Sequence, residues 1–409
     1  MAVYPGDKNH LPYDVVVEQL HIEEPEKTFE EVLDEHPVSI QVNGQWQTFP
    51  NAKAAEEASY EEYKANLRRN AKNFRITDEH LGEGGPKAKF QANVNAIRLL
   101  KELEAAGQQA SPEQQEVLSR YVGWGGLSDA FDPEKPAWAL EYAQLKELLT
   151  PEEYAAARSS TLNAHYTSPT VIQAIYEAVD RMGFETGNIL EPSMGVGNFF
   201  GMLPEKMRNS RLYGVELDPV SGRIAKQLYP KADITVGGFE TTDRRDFFDL
   251  AIGNVPFGQY QVNDKAYNKL NFNIHNYFFA KALDQVRPGG VVAFVTSRYT
   301  MDAKDSTVRR YLAQRAELLG AIRLPNDAFK KNAGAEVVSD IIFLQKRDRP
   351  MDIVPEWTQT GQTEDGFAIN RYFIDHPEMV LGRQEPVSTA HGMDLSLIHI
   401  SEPTRRTPI

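Results

Sequence analysis

From Leu162 onward the chain alternates short apolar runs with amphipathic helical stretches, and this alternation constrains the fold more than any other feature. A strand that returns parallel to its predecessor needs a crossover of about a dozen residues, so this spacing predicts a doubly wound, mostly parallel sheet of the α/β class. Seven strands are predicted: Asn188–Glu191, Leu212–Val215, Ile234–Val236, Asp249–Gly253, Val291–Thr296, Leu319–Leu324 and Asp340–Gln345. The intervening helices carry their own punctuation. Ser168-Pro169 opens one, with Val171, Ile172, Ile175 and Val179 spaced to face inward; Asp218-Pro219 opens a second; Pro288-Gly289-Gly290 closes a third.

Upstream the pattern differs. VSIQVNGQWQTF alternates Val38, Ile40 and Val42 and then turns at Asn43-Gly44, a two-residue hairpin signature. Between Phe90 and Leu149 the period becomes helical, with Ile97, Leu100 and Leu103 on one face and Ser111-Pro112 with Gln114 forming a capping box. The glycines of Gly123–Gly126 interrupt that run, and a turn around a buried Trp124 is favoured over a ligand contact. The expected organisation is an acidic hairpin module over 1–62, a partly basic helical segment over 63–160, the α/β domain over 161–349, and a linker or the edge of a further domain over 350–394. LSLIHISEPTR at Leu395–Arg405 reads as the translation of a transposase-type sequencing adapter, so residues 395–409 are set aside and the natural C-terminus is expected to be missing.

Composition removes several kinds of chemistry. With no cysteine among 409 residues, disulfides, zinc–thiolate sites, iron–sulfur clusters and cysteine nucleophiles are excluded. No run approaches the roughly 18 apolar residues of a membrane helix, and the first residues lack an export signal, so a cytoplasmic protein with no membrane partner is expected. A net charge of −14 argues at first against nucleic acid, but most of the excess sits in residues 1–62. Lys64–Lys101 holds nine basic against three acidic residues and Arg298–Arg349 eleven against seven, runs that permit a polyanion although most such runs are solvated faces.

The richest segment follows the first strand of the sheet, LEPSMGVGNF. Gly195 and Gly197 let the backbone approach a ligand at the carboxyl end of a strand, where open α/β sheets bind nucleotides. A dinucleotide fingerprint would want glycine at 200, where Phe200 stands, and Glu191-Pro192 precedes the loop. That favours a nucleoside with a charged, non-phosphate tail over a pyrophosphate, with Glu191 placed to pair with an ammonium group. A nicotinamide-dependent dehydrogenase is correspondingly disfavoured. Glu216, 19 residues after Gly197 in YGVELD, ends the second strand at the spacing of a ribose-binding carboxylate, while Asp218, before Pro219, suits a helix cap. GNVPFG ends the fourth strand. There the Asn254 side chain and the Val255 carbonyl can accept the two hydrogens of an exocyclic amine, beside Pro256, while the base stacks on Phe257. Such transfer needs acceptors and orientation rather than a covalent nucleophile. His275 reads as a helix cap or packing residue, and no constellation suggests a metal.

HYTSP, LEPSMGVGNF, YGVELD and GNVPFG, in this order, resemble the motifs of amino-type (N6-adenine) DNA methyltransferases from Tyr166 to about Arg347. The wider stretch Phe74–Arg349, with YVGWGGL, IHNYFFAKAL, TMD and GAIRLPNDAF, resembles the methylase part of large methylase/Swi-Snf-type helicase proteins of conjugative elements and phages. The resemblance implies a Rossmann-like seven-stranded methyltransferase fold, S-adenosyl-L-methionine as cofactor, DNA as partner, adenine N6 as acceptor and a downstream helicase in the intact protein. By position, Tyr166 and Thr167 line the cofactor, Glu191, Pro192, Gly195 and Gly197 form its loop, Glu216 holds the ribose, and Asn254, Val255, Pro256 and Phe257 hold the flipped base. Val255 stands where the pattern usually has a proline, and GGFE at 237–240 lacks the acid often found near the cofactor adenine, leaving Phe239 to stack on it or to pack in the core. The alternative is a catalytically weak DNA-binding or antirestriction module that keeps the fold; RNA or a protein amide as acceptor also stays open.

Overall fold

The computed structural model describes residues 36–42, 44–78, 80–161, 167–326, 338–364, 366–389 and 392–398. The chain divides into two units, Met1–Lys72 with Glu102–Gln109, and Asn73–Lys101 with Ala110–Ile409. In the first, β1 (Val38–Val42) and β2 (Gln45–Phe49) form the predicted antiparallel hairpin, and Gly44 supplies the left-handed turn at φ 75°. Val38, Ile40 and Val42 all face one side and pack with Ala55 of helix α1 (Ala52–Asn70).

The second unit opens with α2 (Pro86–Ala105), α3 (Pro112–Ser119), α4 (Ala139–Leu148) and α5 (Pro151–Ser160). The box at Ser111 forms as expected, Gln114 N to Ser111 Oγ at 3.3 Å and Ser111 N to Gln114 Oε1 at 2.9 Å. A second one, Thr150 with Glu153, starts α5. Trp124 is buried with Phe90, Tyr121 and Phe131 edge-on around it, so Gly123–Gly126 does turn about a core tryptophan.

All seven predicted strands form: β3 (Asn188–Glu191), β4 (Arg211–Glu216), β5 (Asp233–Val236), β6 (Phe248–Asn254), β7 (Val286–Ser297), β8 (Ala316–Leu324) and β9 (Ser339–Lys346). They make one sheet in the order β5-β4-β3-β6-β7-β9-β8, parallel except that β9 runs antiparallel to both its neighbours. This is the expected Rossmann-like α/β fold. Leu250, Ala251 and Ile252 of β6 are buried without interruption, as a strand covered on both faces requires. Helices α6 (Pro169–Arg181), α7 (Pro219–Leu228) and α8 (Ile274–Gln285) join the strands, with Ser168 and Asp218 capping the first two.

Two expectations differ from what forms. Helix α8 ends at Gln285, before Pro288-Gly289-Gly290, because Val286 already pairs with Phe248 in the sheet. Gly290 instead permits a close approach: a Cβ there would meet the carbonyl oxygens of Arg287, Phe248 and Asp249. Over 350–394, expected as a linker or the edge of a further domain, Trp357, Ile369 and Phe373 join the core of the sheet domain. Of the residues set aside at the end, Leu395–Ile398 lie in the strand Gly392–Ile398, paired with Arg383–Thr389; residues 399–409 lie outside the described residues. Among the described residues no helix is long and apolar enough to cross a membrane.

Candidate active site

The strand order reverses between β3 and β6, and ligands of open α/β sheets bind at such a reversal, outside the carboxyl ends of the strands. Here the ends of β3, β4 and β6 open into a cavity of about 520 Å³. The two glycines of the first loop serve different ends. Gly195 has φ 55° and empty space where a Cβ would stand, leaving bare backbone against the cavity. Gly197 has φ 85°, and a Cβ there would collide with the Tyr229 ring and Met194, so it lets the chain turn tightly into Asn198–Gly201. Phe200, where a dinucleotide fingerprint would want a third glycine, is a core residue edge-on to Tyr229.

Two carboxylates face this loop. Glu216 Oε2 accepts from Gly195 N and Oε1 from Asp218 N, both at 2.7 Å, so each oxygen keeps a further acceptor position. Burial lifts its pKa to about 7 against the opposing pull of those N–H groups. Glu191 is 2% exposed, its Oε2 has no hydrogen-bond partner, and burial with the added field of Glu216 pushes its pKa well above the usual carboxylate range. Neither acid has an ion-pair partner among the described residues. Asp218 takes the capping role, its Oδ1 accepting from Ser221 N at 2.6 Å.

Asn254, Val255 and Pro256, at the end of the neighbouring strand β6, also line the cavity. Ser193 Oγ donates to the Asn254 carbonyl at 2.9 Å, tying this loop to the glycine loop, and Val255 N donates to Val295 O at 3.1 Å. Phe257, expected to carry the base, is half-buried and does not line the cavity; Tyr260, 47% exposed, does. Tyr260 sits in GQYQVND, where no periodicity or motif marks it. His275 is buried, bonded to the Gly258 backbone and held neutral, burial pushing its pKa down to about 4, so it supports the loop as a packing residue.

The remaining expected residues divide. Thr167 and Pro192 line the cavity, and Phe239 does so while packing against Phe278 at 5.0 Å, the packing role expected of it. Tyr166 lies outside the described residues. The cavity also recruits Tyr121 and Gly123, residues the sequence assigns only to a turn. Several cations of the two basic stretches are committed internally: Lys87 to Glu141 at 2.6 Å, Lys101 to Glu153 at 3.0 Å, and Arg323 and Arg309 to the core. Among the described residues no group of acids and histidines is disposed to hold a metal.

Residues 230–329 match the model of the Eco57I restriction-modification methylase family. The chain is also similar to Defense against restriction protein B of Escherichia phage P1, 27% identical over 277 residues, which are 66% of this chain and 11% of that protein. It resembles Type II methyltransferase M.CvrRI of Paramecium bursaria Chlorella virus XZ-6E at 45% identity over 74 residues, 18% of this chain and 19% of that one. The chain thus spans only about a tenth and a fifth of these relatives' lengths. A solved type I restriction-modification methyltransferase subunit from Streptococcus thermophilus aligns over 90% of this chain and 83% of its own, with 13% identity and a TM-score of 0.43.

Proposed function

We propose that this chain is the S-adenosylmethionine-binding methylase part of a larger DNA-modifying protein, and that it methylates N6 of an adenine flipped out of the duplex. The observation that carries the reading is the switch-point cavity, whose lining joins the buried acids and bare loop backbone to Asn254, Val255 and Pro256 at the end of the neighbouring strand. The residues fit the cofactor: the enclosed Glu191 Oε2 suits an ammonium, the open acceptor positions of Glu216 suit ribose hydroxyls, and the space over Gly195 admits the tail. When bound, S-adenosylmethionine supplies an electrophilic methyl group. Asn254 and the Val255 carbonyl accept from the amine and so orient its lone pair, while Tyr260, which lines the cavity, offers a face to the base in place of Phe257. The Eco57I-type match and the restriction-modification names of the relatives support DNA as the polymer.

Asn254→Ala is expected to abolish methyl transfer to adenine-containing duplexes while leaving cofactor affinity nearly intact. Transfer at the wild-type rate in that variant would remove Asn254 from the mechanism; label on cytosine N4 would overturn adenine as the acceptor.

A second reading is favoured by Val255, which lacks proline's fixed φ, and by the similarity to a phage protein named for defence against restriction. It holds that the domain binds cofactor and DNA but turns over weakly. The same assay decides, since that reading predicts binding of both without label on any base.

A further inference from the structure

The segment upstream of the sheet does more than brace it. Tyr121, just beyond the end of α3, is 1% exposed, lines the cavity, and its hydroxyl makes no hydrogen bond of normal geometry among the described residues. A buried tyrosine in a closed core pairs its hydroxyl or is replaced by phenylalanine, so an unanswered one facing a cavity is a group with a ligand to meet. Its surroundings say which part of the ligand. Tyr121, Glu216, Asp218 and Ser221 line the same cavity, and the Tyr121 hydroxyl feels the field of Asp218 and then of Glu216, with the Ser221 and Trp124 side chains also close to it. Asp218 uses Oδ1 for its cap, while Oδ2 is buried and unpartnered. A donor and an acceptor thus line one cavity unanswered, together with the acid assigned to ribose. Burial, and then Asp218, hold the hydroxyl well above the usual tyrosine range, so it stays a donor at any working pH.

The placement is fixed from several sides. The Tyr121 ring lies edge-on to Trp124 at 6.2 Å, Asn93 receives Val122 N at 2.9 Å and donates to Gly123 O at 2.6 Å, and Gln115 Nε2 ties α3 to the Gln227 carbonyl at the end of α7 at 3.0 Å. The loop that carries Tyr121 is therefore anchored to the helix that Asp218 caps.

We propose that Tyr121 and Asp218 close the ribose end of the cavity, the Tyr121 hydroxyl donating to a ribose oxygen of the adenosyl group and Asp218 Oδ2 accepting from a ribose hydroxyl. This rests on the cofactor reading above. A ribose hydroxyl has one hydrogen to give and lone pairs to receive, so an acid paired with a tyrosine answers both, which Glu216 alone does not.

The test is calorimetric titration of the full chain, wild type and Tyr121→Phe, with S-adenosylhomocysteine and its 2′-deoxy and 3′-deoxy analogues. Tyr121→Phe removes an unpartnered atom, so its Tm is expected to match wild type; its affinity for S-adenosylhomocysteine is expected to fall about tenfold, the scale of one hydrogen bond to a polar ligand. With one of the two deoxy analogues that difference should vanish. Equal affinity of both proteins for S-adenosylhomocysteine overturns the proposal, as does an equal loss for all three ligands, which would mean altered packing. Absence of binding by the wild type overturns the cofactor reading and this inference with it. Asp218→Asn, which keeps a good cap, should show a loss confined to the same end of the ligand; wild-type affinity in that variant removes Asp218 from the pair.

Discussion

The sheet domain buries two clusters of acidic side chains, and they are built on opposite plans. Around Arg323 every charge is answered: its guanidinium meets Asp340 twice, at 2.8 and 2.9 Å, and Asp302 at 2.8 Å, with all three side chains at most 6% exposed. Burial alone would lower the guanidinium, but the two carboxylates more than offset it and hold it above its ordinary range. Asp302 also receives Asn370 N, and Asn370 Nδ2 donates to Met301 O and Trp357 O. Glu191 and Glu216 at the cavity have no cation among the described residues, only backbone N–H groups on one of them. A closed cluster spends its charge on positioning structure, here binding β8, β9 and residues 357–370 together. An open one keeps its charge for a ligand.

Acid-to-amide substitution in each cluster tests that contrast directly. Asp340→Asn leaves Arg323 half-answered in the core and is expected to cost about 3–5 kcal/mol, read as a large fall in Tm. An unchanged Tm would dissolve the distinction. Glu191→Gln is expected to do the reverse. Burial and the field of Glu216 both disfavour charge on Glu191, so a neutral amide is expected to move Tm by less than about 2 °C, whereas S-adenosylmethionine affinity should drop by about 1.5–3 kcal/mol as the ammonium loses its carboxylate. A destabilised Glu191→Gln that binds normally would make this acid structural.

The contrast also explains what the sequence made legible. The central strands β3, β6, β7 and β9 were readable as runs of apolar residues covered on both faces, and caps such as Ser111, Ser168 and Asp218 announce themselves by type and spacing. The glycine loop and Glu216 were readable because close backbone approach and strand-end acids have few alternatives. What stayed hidden depends on contacts far apart in the chain. Arg323 counts as surface charge until Asp340 and Asp302 are found beside it, and Trp357, Ile369 and Phe373 sit singly among polar residues, with no period to betray a core. Tyr121 and Tyr260 face the cavity only because the loops bearing them fold over it, and the outward placement of Phe257 follows from that same loop geometry.

The smallest effect expected is also the most specific, because it carries a sign. Glu216 titrates near pH 7 in the folded protein, above its ordinary value of 4.5, so between those limits the folded chain holds more proton than the unfolded one. Stability should therefore fall as pH rises from about 4.5 to 7 and level off above, and Glu216→Gln should flatten that part of the Tm profile. Glu191 contributes in the same direction, so only the difference between wild type and variant belongs to Glu216. Ligand binding should run the other way. Ribose hydroxyls donate best to an ionised carboxylate, so affinity for S-adenosylhomocysteine should climb as pH passes 7 in the wild type and stay level in Glu216→Gln. Parallel Tm and affinity profiles for the two proteins would mean that the N–H groups of Gly195 and Asp218 satisfy Glu216 completely, and the cavity would then have one open acid rather than two.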